Sequence, residues 1–126
     1  MTGYVGNIEK ATESNTFFRQ VLFTGKHTQL VVMDLKAGEE IGMEVHPEVD
    51  QFFRFEKGEG KVIIDGVENS VSEGSAVVVP AGAEHNIINT SESSDLKLYT
   101  LYSPPNHPDK TIHKTKSDAD AAEEHK

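Results

Sequence analysis

Short runs of β-forming residues, separated by turn-forming clusters, fill the middle of this chain. Between residues 16 and 103 no stretch shows a helical period, and the runs are rich in Val, Ile, Phe, Tyr and Thr. The segments between them carry Gly, Pro, Asn, Asp and Ser, and Asp65-Gly66 has the composition of a two-residue hairpin turn. Turns at about every ten residues predict an all-β fold, either an antiparallel sandwich or a barrel. The predicted strands are 16–23, 28–35, 51–56, 61–65, 75–79, 85–89 and 96–103.

Charged residues within two of these strands predict which face points toward the core. We place Asp34 and Lys97 on the solvent face of their strands, because ionised side chains are rarely buried. Side chains alternate along a strand, so the neighbours of these two residues point inward. The residues predicted to point inward are Gln29, Val31, Met33, Leu98, Thr100 and Tyr102.

The charge balance argues against nucleic acid and anionic membranes as partners. The chain has 126 residues, and 12 Lys and Arg against 21 Asp and Glu give a formal net charge of −9. Both nucleic acid and anionic lipid attract clustered cations. No apolar stretch approaches the roughly 20 residues of a membrane helix, and the first residues lack the pattern of a secretory signal. We expect a cytoplasmic protein that acts on a small molecule and forms a homodimer through its sheet edges.

The length suits one hydrophobic core with a short segment on either side of it. We expect an N-terminal arm at 1–15, a barrel at 16–103 and an extended, partly disordered tail at 104–126. The tail is proline-rich and then charged, and we expect His107 and His113 to lie in solvent. The chain has no cysteine, which excludes disulfides and thiolate metal ligands.

Four polar residues have a spacing that can bring them together. Glu44 and His46 are two residues apart, so on a strand their side chains lie on one face. Gln51 follows after a turn at 47–50, and His85 opens a later strand. If these strands are neighbours, the four side chains converge. The alternatives are two ordinary buried histidines, an exposed Glu44, and a Gln51 that only hydrogen-bonds to other groups.

Two segments resemble the signatures of the cupin family. Residues 42–60 are similar to G-x5-H-x-H-x4-E-x6-G, but Glu44 stands in place of the first histidine and Gln51 in place of the glutamate. Residues 74–89 match G-x5-P-x-G-x2-H-x3-N at every fixed position, with His85 as the histidine. The resemblance covers about residues 16–103. It implies a double-stranded β-helix, or jelly-roll barrel, with one metal ion near its mouth.

The resemblance implies that Glu44, His46, Gln51 and His85 are the metal ligands. Two imidazoles, one carboxylate and one amide oxygen favour Zn²⁺, Mn²⁺, Fe²⁺ or Ni²⁺ over copper. This inventory is similar to that of the zinc-dependent phosphomannose isomerases, in which the order of Gln and Glu is exchanged. Small cupins that act on unsaturated uronates are also similar, with glutamine as one ligand.

Three functions are compatible with this interpretation. The first is a metal-dependent isomerase of a small sugar-like substrate, with Glu44 as the base if it is not a ligand, and Tyr102 as an acid/base group or substrate contact. The second is an Fe(II)-dependent dioxygenase, because two histidines and a carboxylate resemble a facial triad. The third is a barrel that binds a small molecule without catalysis. We expect Arg19 on the surface of its strand, and the alternative is a contact with an anionic substrate.

Overall fold

The computed structural model describes residues 2–124 as ten strands and two short helices. The seven predicted strands are present, with boundaries that differ by up to three residues. The elements in chain order are α1 (Ile8–Ser14), β1 (Arg19–Thr24), β2 (Gln29–Leu35), β3 (Glu44–Val45), β4 (Asp50–Lys57), β5 (Glu59–Ile64), β6 (Val67–Ser72), β7 (Ala76–Val79), β8 (Glu84–Asn89), β9 (Leu96–Ser103), β10 (Ile112–His113) and α2 (Lys116–Glu124).

The strands form two antiparallel sheets that enclose one core. One sheet has six strands in the order β10-β1-β2-β9-β4-β7, and the other has four in the order β3-β8-β5-β6. Most neighbours in the larger sheet are distant in sequence, as in a jelly roll. The predicted all-β, double-stranded β-helix fold is therefore confirmed. Within residues 2–124 no helix is long and apolar enough to cross a membrane.

The predicted hairpin at Asp65-Gly66 is present between β5 and β6. Ile64 pairs with Val67, so the loop has two residues. Both loop residues have positive φ, 47° at Asp65 and 81° at Gly66. These dihedrals are what a tight hairpin with the twist of the flanking strands requires, and Gly adopts them without strain.

The predicted inward residues of β2 and β9 all lie in the core, with at most 2% of their surface exposed. The solvent positions predicted for Asp34 and Lys97, however, are wrong, because both residues are also buried. The Lys97 Nζ donates to the backbone carbonyls of Glu13 and Asn15, at the end of α1. Asp34 pairs with Lys36 at 2.8 Å. The N-terminal segment therefore covers a sheet face that would otherwise be solvated.

The tail returns to the barrel, so the predicted solvated positions of its histidines are also wrong. β10 pairs with β1, with His113 opposite Arg19. The buried Gln29 amide accepts from the backbone N–H of residues 106 and 107 and donates to the carbonyl of His107. His107 is consequently buried. The described end of the tail forms α2, and residues 125 and 126 of the predicted tail lie outside the described range.

Candidate functional site

β3 and β8 bring two of the predicted ligands to the same place. Glu44 lies directly opposite His85 in this antiparallel pair, so both side chains project from one face. His46 follows β3, and its ring lies 5.4 Å from the His85 ring. Gly82 fixes the two loops together, because its N–H donates to the His46 carbonyl at 2.9 Å from a backbone with φ +88°. A residue with a Cβ would be strained at this φ.

The tautomer of His85 follows from its partner. Its Nδ1 lies 3.1 Å from the carbonyl oxygen of Ala83, which can only accept. Nδ1 therefore carries the proton, and in the neutral imidazole Nε2 keeps its lone pair. A histidine ligand held by a backbone carbonyl through its other nitrogen has this arrangement. His85 is thus oriented as a metal-ligating or proton-accepting imidazole.

Glu44 and His46 are in hydrogen-bond contact at the rim of the site. Glu44 Oε2 lies 3.2 Å from His46 Nε2, and both side chains are partly open to solvent. Burial opposes the ionisation of Glu44, but the hydrogen bond and charge of His46 outweigh it, with smaller contributions from Arg19 and His85. The pKa of Glu44 therefore lies below its ordinary value, and the carboxylate is charged at neutral pH.

Gln51 enters the site from the other sheet. Its amide nitrogen donates to Thr100 Oγ1 at 3.0 Å, whereas its amide oxygen is buried and has no hydrogen-bond partner. An unpartnered buried acceptor costs about 1–3 kcal/mol. A bound cation would interact with the lone pair of this oxygen and so replace the missing hydrogen bond.

Tyr102 lies beside Gln51 and connects the candidate site to His107 in the tail. The two are direct neighbours across β4 and β9, and the Tyr102 ring is 6.0 Å from that of His46. Its hydroxyl is 3.2 Å from His107 Nε2. Burial raises the pKa of Tyr102 to about 12, although the charge of Arg19 acts in the opposite direction. Tyr102 is thus a protonated phenol at neutral pH, which can donate a hydrogen bond but not act as a base.

The structure brings Glu44, His46 and His85 together and places Gln51 beside Tyr102. Strand spacing placed Glu44 and His46 on one face, and the motif position identified His85. Neither found His107 or the burial of Arg19, because both positions depend on the returning tail. Gln29 was predicted to point inward beside the apolar Val31 and Met33, which was a sequence signal that a polar group from elsewhere had to reach it.

Asn89, the last fixed position of the second motif, connects three segments of the chain. Its amide nitrogen contacts the carbonyls of Leu35, Lys36 and Ser94, all within 3.1 Å. It therefore joins β8 to the end of β2 and to the loop before β9.

The donor types suit a divalent cation, and one distance agrees with such an ion. Ligand atoms at about 2.1 Å from one ion and at right angles are about 3 Å apart, close to the 3.2 Å between Glu44 and His46. The unpartnered Gln51 oxygen is a further donor. Yet among residues 2–124 no three His, Cys, Asp or Glu side chains meet in a ready-made metal arrangement. Three of the predicted ligands are His or Glu, and two of these, Glu44 and His46, contact each other.

Comparison with known proteins decides the family. The model of the cupin domain matches residues 31–102, which is more than half of the chain. The chain belongs to the cupin domain family. This cupin is 50% identical over 127 residues to the uncharacterized protein YrkC of Bacillus subtilis (strain 168), covering 96% of this chain and 68% of that protein.

Solved structures agree with this assignment. The crystal structure of BH2720 from Bacillus halodurans superimposes on this cupin with a TM-score of 0.91 and 43% identity, and covers 94% of this chain and 93% of that chain. The structure of KdgF from Halomonas sp. has a TM-score of 0.64 and 22% identity, and covers 70% of this chain and 78% of that chain. At this lower identity the likeness shows the fold alone.

Proposed function

We propose that this cupin binds one divalent transition metal and catalyses an isomerase-type reaction on a small, polar, sugar-like substrate. The observation that carries the proposal is the convergence of Glu44, His46 and His85 from two sequence-distant motifs at the rim of the barrel. Two imidazoles and a carboxylate would hold the ion, with the Gln51 oxygen as a fourth donor. Zn²⁺, Mn²⁺, Fe²⁺ and Ni²⁺ all suit this set.

The metal and two protein side chains, Glu44 and Tyr102, would have different roles in the reaction. When bound, a divalent cation supplies Lewis acidity that polarises a carbonyl or hydroxyl oxygen. Glu44 is ionised and partly open to solvent, so if it is not a metal ligand it can accept a proton from a substrate carbon or hydroxyl. Tyr102 holds its proton and is fixed by His107, so it can donate a hydrogen bond to a substrate oxygen.

The donor inventory also supports the choice of a polar substrate. Two imidazoles, a carboxylate and an amide are shared with the phosphomannose isomerases, although the order along the chain differs. A phosphosugar would need a cluster of cations, and Lys and Arg are not clustered in the two motifs. A neutral sugar or a uronate is therefore the substrate class that we favour.

Metal analysis tests the first half of the proposal. Protein purified without added metal should carry about one transition-metal ion per chain, and His46→Ala or His85→Ala should remove it, because each takes away a nitrogen donor. His27→Ala is the matched control, since His27 is exposed and lies in the turn between β1 and β2. Full metal content in both site variants would refute the metal centre.

A substrate screen tests the second half. Aldose–ketose pairs and uronates, incubated with the metal-loaded protein under nitrogen, should interconvert without any net oxidation. Two histidines and a carboxylate are also the donors of an Fe(II) dioxygenase, so the same screen is repeated with Fe²⁺ and oxygen. Substrate-dependent oxygen uptake would favour the dioxygenase over the isomerase. Tight binding with no turnover in either screen would favour a ligand-binding barrel.

A further inference from the structure

A second cavity lies beneath the tail, separate from the four predicted metal ligands. It has a volume of about 200 Å³, and its walls come from β1, from the segment at 107–113 and from α2. None of the four predicted ligands is among its lining residues. The cavity adjoins the site through His107, whose ring contacts Tyr102, and through Arg19, whose charge acts on both Tyr102 and Glu44.

A buried arginine contributes a positive charge to this cavity, whose wall also carries the carboxylate of Glu123 on α2. Arg19 is 3% exposed and lines the cavity, and a guanidinium stays protonated in proteins. Among the described residues Arg19 takes part in no ion pair with a carboxylate, and its Nε has no hydrogen-bond partner. Its Nη1 contacts His113 Nδ1 at 3.2 Å, and an imidazole carries no negative charge that would balance the guanidinium.

A buried cation without an anion is costly, because the protein interior solvates charge poorly. The charge of Arg19 helps to lower the pKa of Glu44, but the Glu44 carboxylate already contacts His46. An anionic ligand in the cavity would supply the missing partner. A carboxylate is well matched, because it can accept two parallel hydrogen bonds from a guanidinium.

The rest of the lining describes the body of such a ligand. Apolar contacts are available from Pro108 and Ala122, and Thr111 contributes a methyl group as well as a hydroxyl. The Thr111 hydroxyl already donates to the Pro108 carbonyl. A fully hydrated, multiply charged anion would leave this apolar wall unused, whereas a short hydrocarbon chain would cover it.

We propose that this cavity binds a small aliphatic carboxylate, with its carboxylate on Arg19 and its hydrocarbon chain against Pro108 and Ala122. The site does not depend on the proposed metal centre. Such a site would make this cupin respond to a small carboxylic acid. That acid would be a fragment of the substrate, a product or an effector.

Calorimetric titration with butyrate, with neutral butyramide as the matched probe, tests the charge requirement. The full chain in the presence of a chelator should bind one butyrate saturably, at least about tenfold more tightly than butyramide, because charge-assisted bonds to Arg19 are lost with the amide. Arg19→Gln should weaken butyrate binding at least about tenfold. Arg54→Gln is the control, since Arg54 is the chain's other arginine and is partly exposed on β4. Equal binding of the two probes, or no saturable binding of butyrate, would overturn the proposal.

A second pair of variants tests where butyrate binds if Arg19→Gln fails to fold. Ala122→Trp fills the cavity from the exposed surface of α2 and should abolish butyrate binding, while Ala121→Trp on the same helix should not. Glu123→Gln removes a carboxylate from the cavity wall and should tighten binding about twofold at low salt. Unchanged binding in Ala122→Trp would refute the location.

The metal centre is separated from this site by one further measurement. His85→Ala should bind butyrate as the wild type does, with or without Zn²⁺. Loss of butyrate binding in that variant would show that the carboxylate goes to the metal centre and would overturn the proposal. Retained butyrate binding in a wild type that takes up no metal would leave the cavity in place and refute the proposed metal centre alone.

Discussion

Gln51 offers a sharp test of whether this barrel is built around a cation. Replacement by Met, a side chain of similar length, loses one neutral hydrogen bond to Thr100, worth about 0.5–1.5 kcal/mol. It also removes the buried, unpartnered amide oxygen, which costs about 1–3 kcal/mol. Without metal, Gln51→Met should therefore be about 0.5–1.5 kcal/mol more stable than the wild type.

Added metal should reverse this order. At a hundredfold excess over its Kd, a metal bound only by the folded protein adds about 2.7 kcal/mol to the free energy of unfolding. Gln51→Met lacks one ligand and should gain less. The measurement is urea unfolding, followed by tyrosine fluorescence because the chain has no tryptophan, with chelator and then with Zn²⁺ or Mn²⁺.

Thr100→Val is the matched control, because it removes the hydroxyl that the amide nitrogen uses and leaves the amide oxygen in place. Its gain in stability on metal addition should equal that of the wild type. A metal-free Gln51→Met that is less stable than the wild type would refute the reasoning about the unpartnered oxygen. Equal metal-induced gains in Gln51→Met and the wild type would show that this oxygen is not a ligand.

Three further predictions concern the framework of the site. Asn89→Ala should lower the free energy of unfolding by about 3 kcal/mol, since it breaks several buried hydrogen bonds at once, whereas exposed Asn69→Ala should change it by less than about 0.5 kcal/mol. Lys97→Met should cost about 2–3 kcal/mol, because two carbonyls at the end of α1 lose a charged donor; no loss in urea unfolding would contradict this. Tyr102 should ionise only near pH 12, seen as the tyrosinate absorbance missing in Tyr102→Phe. Its raised pKa stabilises the fold fully below pH 10, and this stability is lost as the pH rises through about 12.

The strands that alternate in hydrophobicity were predictable from the sequence, and those that do not were missed. β2 and β9 have a clear two-residue period, and their inward residues are buried as predicted. β6 is almost entirely exposed and polar, so it has no buried face to mark it as a strand. It forms because the Asp65-Gly66 turn places it beside β5.

Buried charges were unpredictable for a related reason. A lysine in a strand indicates a solvent face only when nothing covers that face. Lys97 is buried because α1 presents backbone carbonyls to it, and the sequence gives little sign of that short helix. Arg19 is buried because the tail covers it, and the contact joins residues 94 positions apart. Local rules cannot anticipate such long-range partners.

The candidate site was more predictable than its surroundings. Glu44 and His46 share a face because of a two-residue spacing, which is a local property of any strand. The convergence of His85 followed from its motif position and is realised through the β3–β8 pair. The contribution of His107 was missed because it depends on the tail being held by Gln29.

The pairing of β1 with β10 also has a consequence for biosynthesis. A ribosome delivers Arg19 well before His113, its partner across the strands, because the two residues are 94 positions apart. Until then the nascent chain exposes an unpaired strand edge with a bare guanidinium at its start. A chain that stalls or is cleaved before residue 112 would keep this strand edge exposed. Quality-control factors that bind unpaired strand edges could then recognise it.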